Sequence, residues 1–295
     1  FNIFSTGVGS TDLAITLASG KNWFKVPETI KIRVSGKLPV GVFAKDIILS
    51  IVKDVTSKGA NYMALEFCGD TINRLSLSSR CTIANMSVEM GAKCGIFEAD
   101  SKVLDWAKKM RSKRKAAPVA PDEKASYKEI REYNVCDLTP QVALPHEVDN
   151  VVSIENIEGT RIDQAFIGTC TNGRLEDLEV AARILKNNKV HPDVKLVIGP
   201  ASRKVFLEAA RKGYVEIFIN SGALVLAPGC GPCVGTHNGV LADGENAIST
   251  ANRNFKGRMG NPNANIFLAS PATVAASAIK GEISDPRAYS KRLKK

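Results

Sequence analysis

Aromatic residues make up only 6% of this 295-residue sequence, and histidine occurs three times. No apolar run approaches the roughly 20 residues needed to cross a bilayer, so no membrane-spanning helix is expected. The opening Phe1-Asn2-Ile3-Phe4-Ser5-Thr6-Gly7 carries neither an initiator methionine nor a secretory signal, so the expectation is a fragment of a cytoplasmic protein whose true start is missing. Seven cysteines, an odd number, fit free thiols and metal thiolates in a reducing compartment better than a disulfide framework. A nucleotide fingerprint is also missing: the turn Gly7-Val8-Gly9-Ser10 lacks dinucleotide or P-loop spacing, and tight packing is the commoner reason for such glycines. The densest basic run, Lys108-Lys109-Met110-Arg111-Ser112-Lys113-Arg114-Lys115, has no aromatic side chain among its charges to stack on bases. It reads as a solvated helix end and loop, although the net charge is +10.

What is present describes a soluble globular chain, with 44% hydrophobic and 24% charged residues. Strand and helix alternate, which defines an α/β fold. Alternation predicts a strand over 29–34, Asp46 caps a predicted helix over 47–55, and 63–68 reads as another strand. A helix over 79–91 ends at Gly91, after which Ala116-Ala117-Pro118-Val119-Ala120-Pro121-Asp122 is the best linker. Beyond it come a strand ending at Ile167, a helix over 175–186, a strand over 194–198, and a helix capped by Ser202 and closed by Gly213. Strands are predicted over 215–219 and 223–226, and Ser270-Pro271 starts a small-residue helix that stops at Gly281.

Two loops concentrate the chemistry. Cys170 lies in Gly168-Thr169-Cys170-Thr171-Asn172-Gly173-Arg174, and Cys230 and Cys233 lie in Pro228-Gly229-Cys230-Gly231-Pro232-Cys233-Val234-Gly235. Both follow predicted strands, and a parallel sheet brings such strand ends together at its C-terminal edge. Structural zinc and electron-transfer clusters normally close their shells with four protein ligands. Three thiolates leave one corner open, as a Lewis-acid catalyst requires. The competing readings are a redox CxxC pair with a stray buried Cys170, and a structural zinc site with His237 as fourth ligand. Cys68, Cys81, Cys94 and Cys136 lack ligand spacing and read as small buried residues. Asn85 and Glu89 share a helix face with Thr82, which is either the lining of a site or a wet surface. Arg253 and Arg258, in Asn252-Arg253-Asn254-Phe255-Lys256-Gly257-Arg258-Met259-Gly260, have the forked donors that clasp carboxylates, unless the loop is merely basic surface.

With GTCTNGR at Cys170, CGPC at 230–233 and NRNFKGRMG at 252–260, the chain resembles the aconitase superfamily. Within it the likeness is to large subunits of the split, two-subunit hydro-lyases, the isopropylmalate dehydratase and homoaconitase group. The opening turn and the TIANMSVEMG helix agree. The resemblance implies an aconitase-like α/β fold, with parallel and mixed sheets flanked by helices in three similar domains around an iron–sulfur cluster. Residues 1–27 would be the remnant of the first domain, 28–130 the second and 131–295 the cluster-binding third. It further implies a 4Fe-4S cluster on Cys170, Cys230 and Cys233, with Asn85 and Asn252 facing the cluster and its water. Glu89 would support a histidine in proton transfer, and Arg253 and Arg258 would hold substrate carboxylates.

The implied reaction removes water from a hydroxy acid and returns it at the neighbouring carbon, with isopropylmalate preferred and homoaconitate or methylmalate as alternatives. The family's histidine-bearing DSHT segment would precede Phe1, and none of His146, His191 and His237 occupies a matching position. A small subunit carrying the swivelling domain is the implied partner, and activity is expected only with that subunit and an intact N-terminal region. An RNA-binding regulator is the rival from another class; the spread of the basic residues argues against it.

Overall fold

A computed structural model of the chain describes residues 6–110 and 118–293. Arg111–Lys115 of the basic run and Ala116-Ala117 of the linker lie outside the described residues, as does the opening Phe1–Ser5. Eleven strands fall into two sheets among the described residues. β1 (Thr29–Ser35), β2 (Ala64–Cys68), β3 (Cys94–Phe97) and β4 (Glu129–Asn134) form a parallel sheet in the order β3-β2-β1-β4. The second sheet contains β5 (Gln141–Ala143), β6 (Val151–Ser153), β7 (Gln164–Gly168), β8 (Lys195–Gly199), β9 (Leu224–Val225), β10 (Asn246–Ser249) and β11 (Asn265–Leu268). Its order is β6-β5-β11-β10-β7-β8-β9, parallel from β11 to β9 and antiparallel at β5 and β6. The α/β architecture of parallel and mixed sheets flanked by helices is therefore the one expected.

Successive side chains of a strand leave on opposite faces, so a strand buried on both sides divides its residues between two cores. The inner strands β5, β11, β10, β7 and β8 of the seven-stranded sheet do this. Ala143, Phe166, Val197, Ala247 and Leu268 join one apolar cluster. Their neighbours Val142, Ala165, Ile167, Leu196, Ile198, Ile248 and Phe267 join the other, with the helices Leu175–Leu185 and Pro271–Lys280. The first cluster also takes Ile30, Ile32 and Val34 of β1. At its centre is the helix Ala44–Val55, with nine of its twelve residues buried. Only Lys53 and Asp54 of this helix are exposed, and its apolar side chains have residues of both sheets around them.

Several expectations shift. Asp46 is the third residue of its helix, not the cap: its carboxylate accepts from Phe43 N at 2.8 Å and from Gln141 N at 2.9 Å. The helix predicted over 79–91 begins at Leu77, with Ser76 accepting from Ser79 N, and ends at Met86. A 3-10 turn over Ser87–Met90 then runs to Gly91 in the left-handed conformation. Val215–Ile219, predicted as a strand from its β-branched residues, lies within the helix Tyr214–Ser221. Tertiary context overrides propensity here. β8 and β9 are parallel neighbours, so the chain between them must cross over, and Tyr214, Val215, Ile217 and Phe218 pack at helical spacing on the second core.

Candidate active site

β7 and β9 deliver the two cysteine loops to the same edge of the sheet. After Gly168, Thr169 takes φ +73°, and the short turn Thr169–Asn172 carries Cys170 to the surface. A non-glycine residue in this region is strained, a condition that clusters at functional positions. Downstream of β9, Cys233 N bonds Cys230 O at 2.9 Å, closing the turn Gly231–Val234; Cys230 is exposed and Cys233 buried. Gly235 follows at φ +66°, and a Cβ there would stand 2.2 Å from Gly260 N. That close approach seats the CGPC turn directly on the Arg258-Met259-Gly260 turn.

All three thiols open on one cleft of about 760 Å³, which Asn85, Asn252, Arg253 and Arg258 also line. Asn85 Nδ2 lies 3.6 Å from Cys170 Sγ, and its Oδ1 accepts from Thr171 Oγ1 at 2.7 Å. Thr82 braces the same loop by donating to Thr171 O at 2.9 Å. Across the cleft an Arg258 amino group lies 3.5 Å from Cys233 Sγ, its guanidinium 5.6 Å above the Phe255 ring. The Nε of Arg258 is buried without a partner. Burial pushes the Cys233 thiol up; Arg258 pulls it down, and Cys170 and Cys230 add to the rise. Glu89 is not on the cleft wall. It lies beneath, 8% exposed, accepting from Asn252 Nδ2 at 2.6 Å and from Arg253 Nε at 3.0 Å to each oxygen.

Sequence reasoning missed three basic residues. Lys93 and Arg174 line the cleft. Arg174 sits inside the GTCTNGR motif, and its guanidinium bonds Thr171 O at 2.5 Å; for Lys93 there was no signal. Lys45, fully buried, donates to Thr250 O and Ala251 O. Cys81 and Cys94, read as small buried residues, line the same cleft. Burial pushes the Cys94 thiol up to about 11, so it stays protonated and a poor ligand at neutral pH. A separate cavity of about 290 Å³, lined by Lys31, Glu66 and Phe97, holds none of the three loop thiols.

No three His, Cys, Asp or Glu side chains among the described residues converge closely enough to hold one metal ion. Side-chain N–H groups of Asn85 and Arg258 lie beside the sulfurs of Cys170 and Cys233, and this donor set fits an iron–sulfur cluster with one corner left to a ligand.

An α/β scaffold that gathers three thiols and paired arginines at a cleft defines a candidate metal-dependent enzyme acting on a carboxylate. The chain belongs to the aconitase family (aconitate hydratase), whose sequence model matches residues 1–281. It is 56% identical over 286 residues to the 3-isopropylmalate dehydratase large subunit 2 of Archaeoglobus fulgidus, covering 97% of this chain and 69% of that protein. To the 3-isopropylmalate dehydratase large subunit 1 of Thermotoga maritima it is 54% identical over 288 residues, with the same two coverages. A probable methanogen homoaconitase large subunit of Methanothermobacter thermautotrophicus is 50% identical over 287 residues, 97% of this chain and 67% of that protein.

Proposed function

We propose that the chain is the cluster-bearing large subunit of a hydro-lyase that interconverts 2-isopropylmalate and 3-isopropylmalate by removing and returning water. One observation carries the reading: two thiols from separate loops, Cys170 and Cys233, each have a side-chain N–H beside the sulfur, from Asn85 and Arg258, in one cleft. The names of relatives at 54–56% identity support the substrate. Homoaconitate is the second candidate, supported by the relative at 50%. The cationic lining of Lys93, Arg174, Arg253 and Arg258 suits an acid of either kind.

Cys170, Cys230 and Cys233 would hold a 4Fe-4S cluster, which when bound supplies a Lewis-acidic iron open to substrate oxygen. Arg253 and Arg258 bind the substrate carboxylates, and their planar donors fix its orientation. Asn85 and Asn252 hold the departing hydroxyl and the water by hydrogen bonds. Glu89, clasped by Asn252 and Arg253, keeps both side chains aimed across the cleft. The base that takes the carbon-bound proton arrives with a small subunit, which relatives named as large subunits support. Residues 28–130 and 131–295 serve in this reading as the second and third domains, after a remnant of the first over 1–27. We place the protein in the cytoplasm; among the described residues no helix is long and apolar enough to cross a membrane.

The test is anaerobic reconstitution with iron and sulfide, followed by metal analysis of wild type and of Cys170→Ser, Cys230→Ser and Cys233→Ser. Four irons and four sulfides per chain, lost in each variant, are the expected results. Zinc without sulfide, or a cluster indifferent to Cys170, would refute the reading.

A further inference from the structure

One buried cation has no part in the chemistry above. Lys45 is fully buried at the second residue of helix Ala44–Val55. Lysine is rarely buried, and a cation at a helix N-terminus opposes the helix dipole. Burial accordingly lowers its pKa to about 7, against the attraction of Glu89, Asp177, Asp46 and Cys233. A residue that breaks two local rules at once calls for a compensating role.

Its partners indicate that role. Lys45 Nζ donates to Ala251 O at 2.6 Å and to Thr250 O at 3.1 Å. A neutral amine would still have two N–H groups for these two carbonyls, so the clamp does not depend on the charge. Thr250 lies where β10 meets the end of β7: its N bonds Phe166 O at 2.9 Å, and its hydroxyl accepts from Gly168 N at 2.9 Å and donates to Gly168 O at 3.1 Å. Cys170 is two residues beyond Gly168, and Asn252 two beyond Thr250. Past Ser249 the chain leaves the sheet, so the Thr250 and Ala251 carbonyls lose the strand ladder as a source of donors. A buried carbonyl without a donor is costly.

We propose that Lys45 is a positioning residue of the cleft: it clamps the carbonyls of Thr250 and Ala251 from the helix between the sheets, holding Asn252 and Arg253 where both reach Glu89. The proposal rests on reading the cleft as the active site, although its first readout does not.

That readout is hydrogen exchange by mass spectrometry on the full chain, comparing wild type, Lys45→Met and Lys45→Arg, with thermal melts alongside. Lys45→Met should raise exchange about tenfold or more over residues 250–254 and leave peptides of β8 unchanged. Lys45→Arg, which keeps donors, should restore most of the protection. In the assembled enzyme kcat should fall in Lys45→Met more than KM changes, and recover in Lys45→Arg. Unchanged exchange over 250–254, or an increase shared equally by β8, would overturn the proposal. Failure of both variants to fold would overturn it too, because Lys45 would then support the core at large. Iron and sulfide content of the wild-type sample separates a wrong reading of the cleft from a wrong role for Lys45.

Discussion

Arg253 turns its Nε to within 3.0 Å of both carboxylate oxygens of Glu89, across 164 positions of sequence. The acid is buried and the arginine 39% exposed, so one partner is fixed in the core while the other lies at the cleft. The pair joins the turn after Met86 to the loop after β10, and with Asn252 it sets that loop's conformation.

Glu89→Gln should therefore loosen the loop rather than unfold the chain. The expected loss is about 1–3 kcal/mol in urea unfolding, since a mostly buried acceptor of two donors is weakened while one partner can turn to water. Turnover should fall about a hundredfold from misplacement of Asn252 and Arg253. A double-mutant cycle with Arg253→Gln checks the coupling; strictly additive losses would count against it.

Asp177 links stability to pH. Burial raises its carboxyl to about 6, although Asn172 and the backbone N–H of Arg174 hydrogen-bond it. In the unfolded chain it titrates near 3.9. Between about pH 4 and pH 6 the folded state thus holds a proton that the unfolded state has lost, and stability falls as pH rises through that window. Asp177→Asn should flatten this decline in melts taken from pH 4 to pH 7. An equally steep decline in the variant would assign it to other groups.

Gly235→Ala meets Gly260 N at 2.2 Å and must hold φ +66°. The CGPC turn should lift away from the Arg258 turn, with iron per chain after reconstitution falling several-fold. Far-UV circular dichroism should stay close to wild type, because neither sheet includes these turns.

Ile48→Ala removes a fully buried side chain from the helix Ala44–Val55. Cavity formation should cost about 2–5 kcal/mol by chemical denaturation. The loss should appear as a single transition, reported equally by probes in either sheet.

The three loop cysteines were legible because Gly, Pro and Thr around them exclude regular structure, and because predicted strands preceded both loops. β10 and β11 were not legible: NAIS and NIFL are four residues long and buried on both faces, so neither shows alternation. Tyr214–Ser221 failed as a strand because crossover topology, which is non-local, decides its state. Glu89 was read on one helix face with Asn85, but the change to 3-10 geometry at Ser87 sends its carboxylate under the cleft. Lys45 precedes the helix read from sequence over 47–55; in the structure it lies inside helix Ala44–Val55 and is buried, with both its carbonyl partners supplied by Thr250 and Ala251.

The helix Ala44–Val55 has apolar partners from both sheets, and this sharing bears on how the chain can be dissected. A fragment beginning near residue 131 would bare Ala143, Phe166, Val197, Ala247 and Leu268, and one ending there would bare the far side of the helix. Each half would carry a sticky apolar face into solution. Modular swapping between relatives should therefore succeed only when the helix travels together with the strands that cover it.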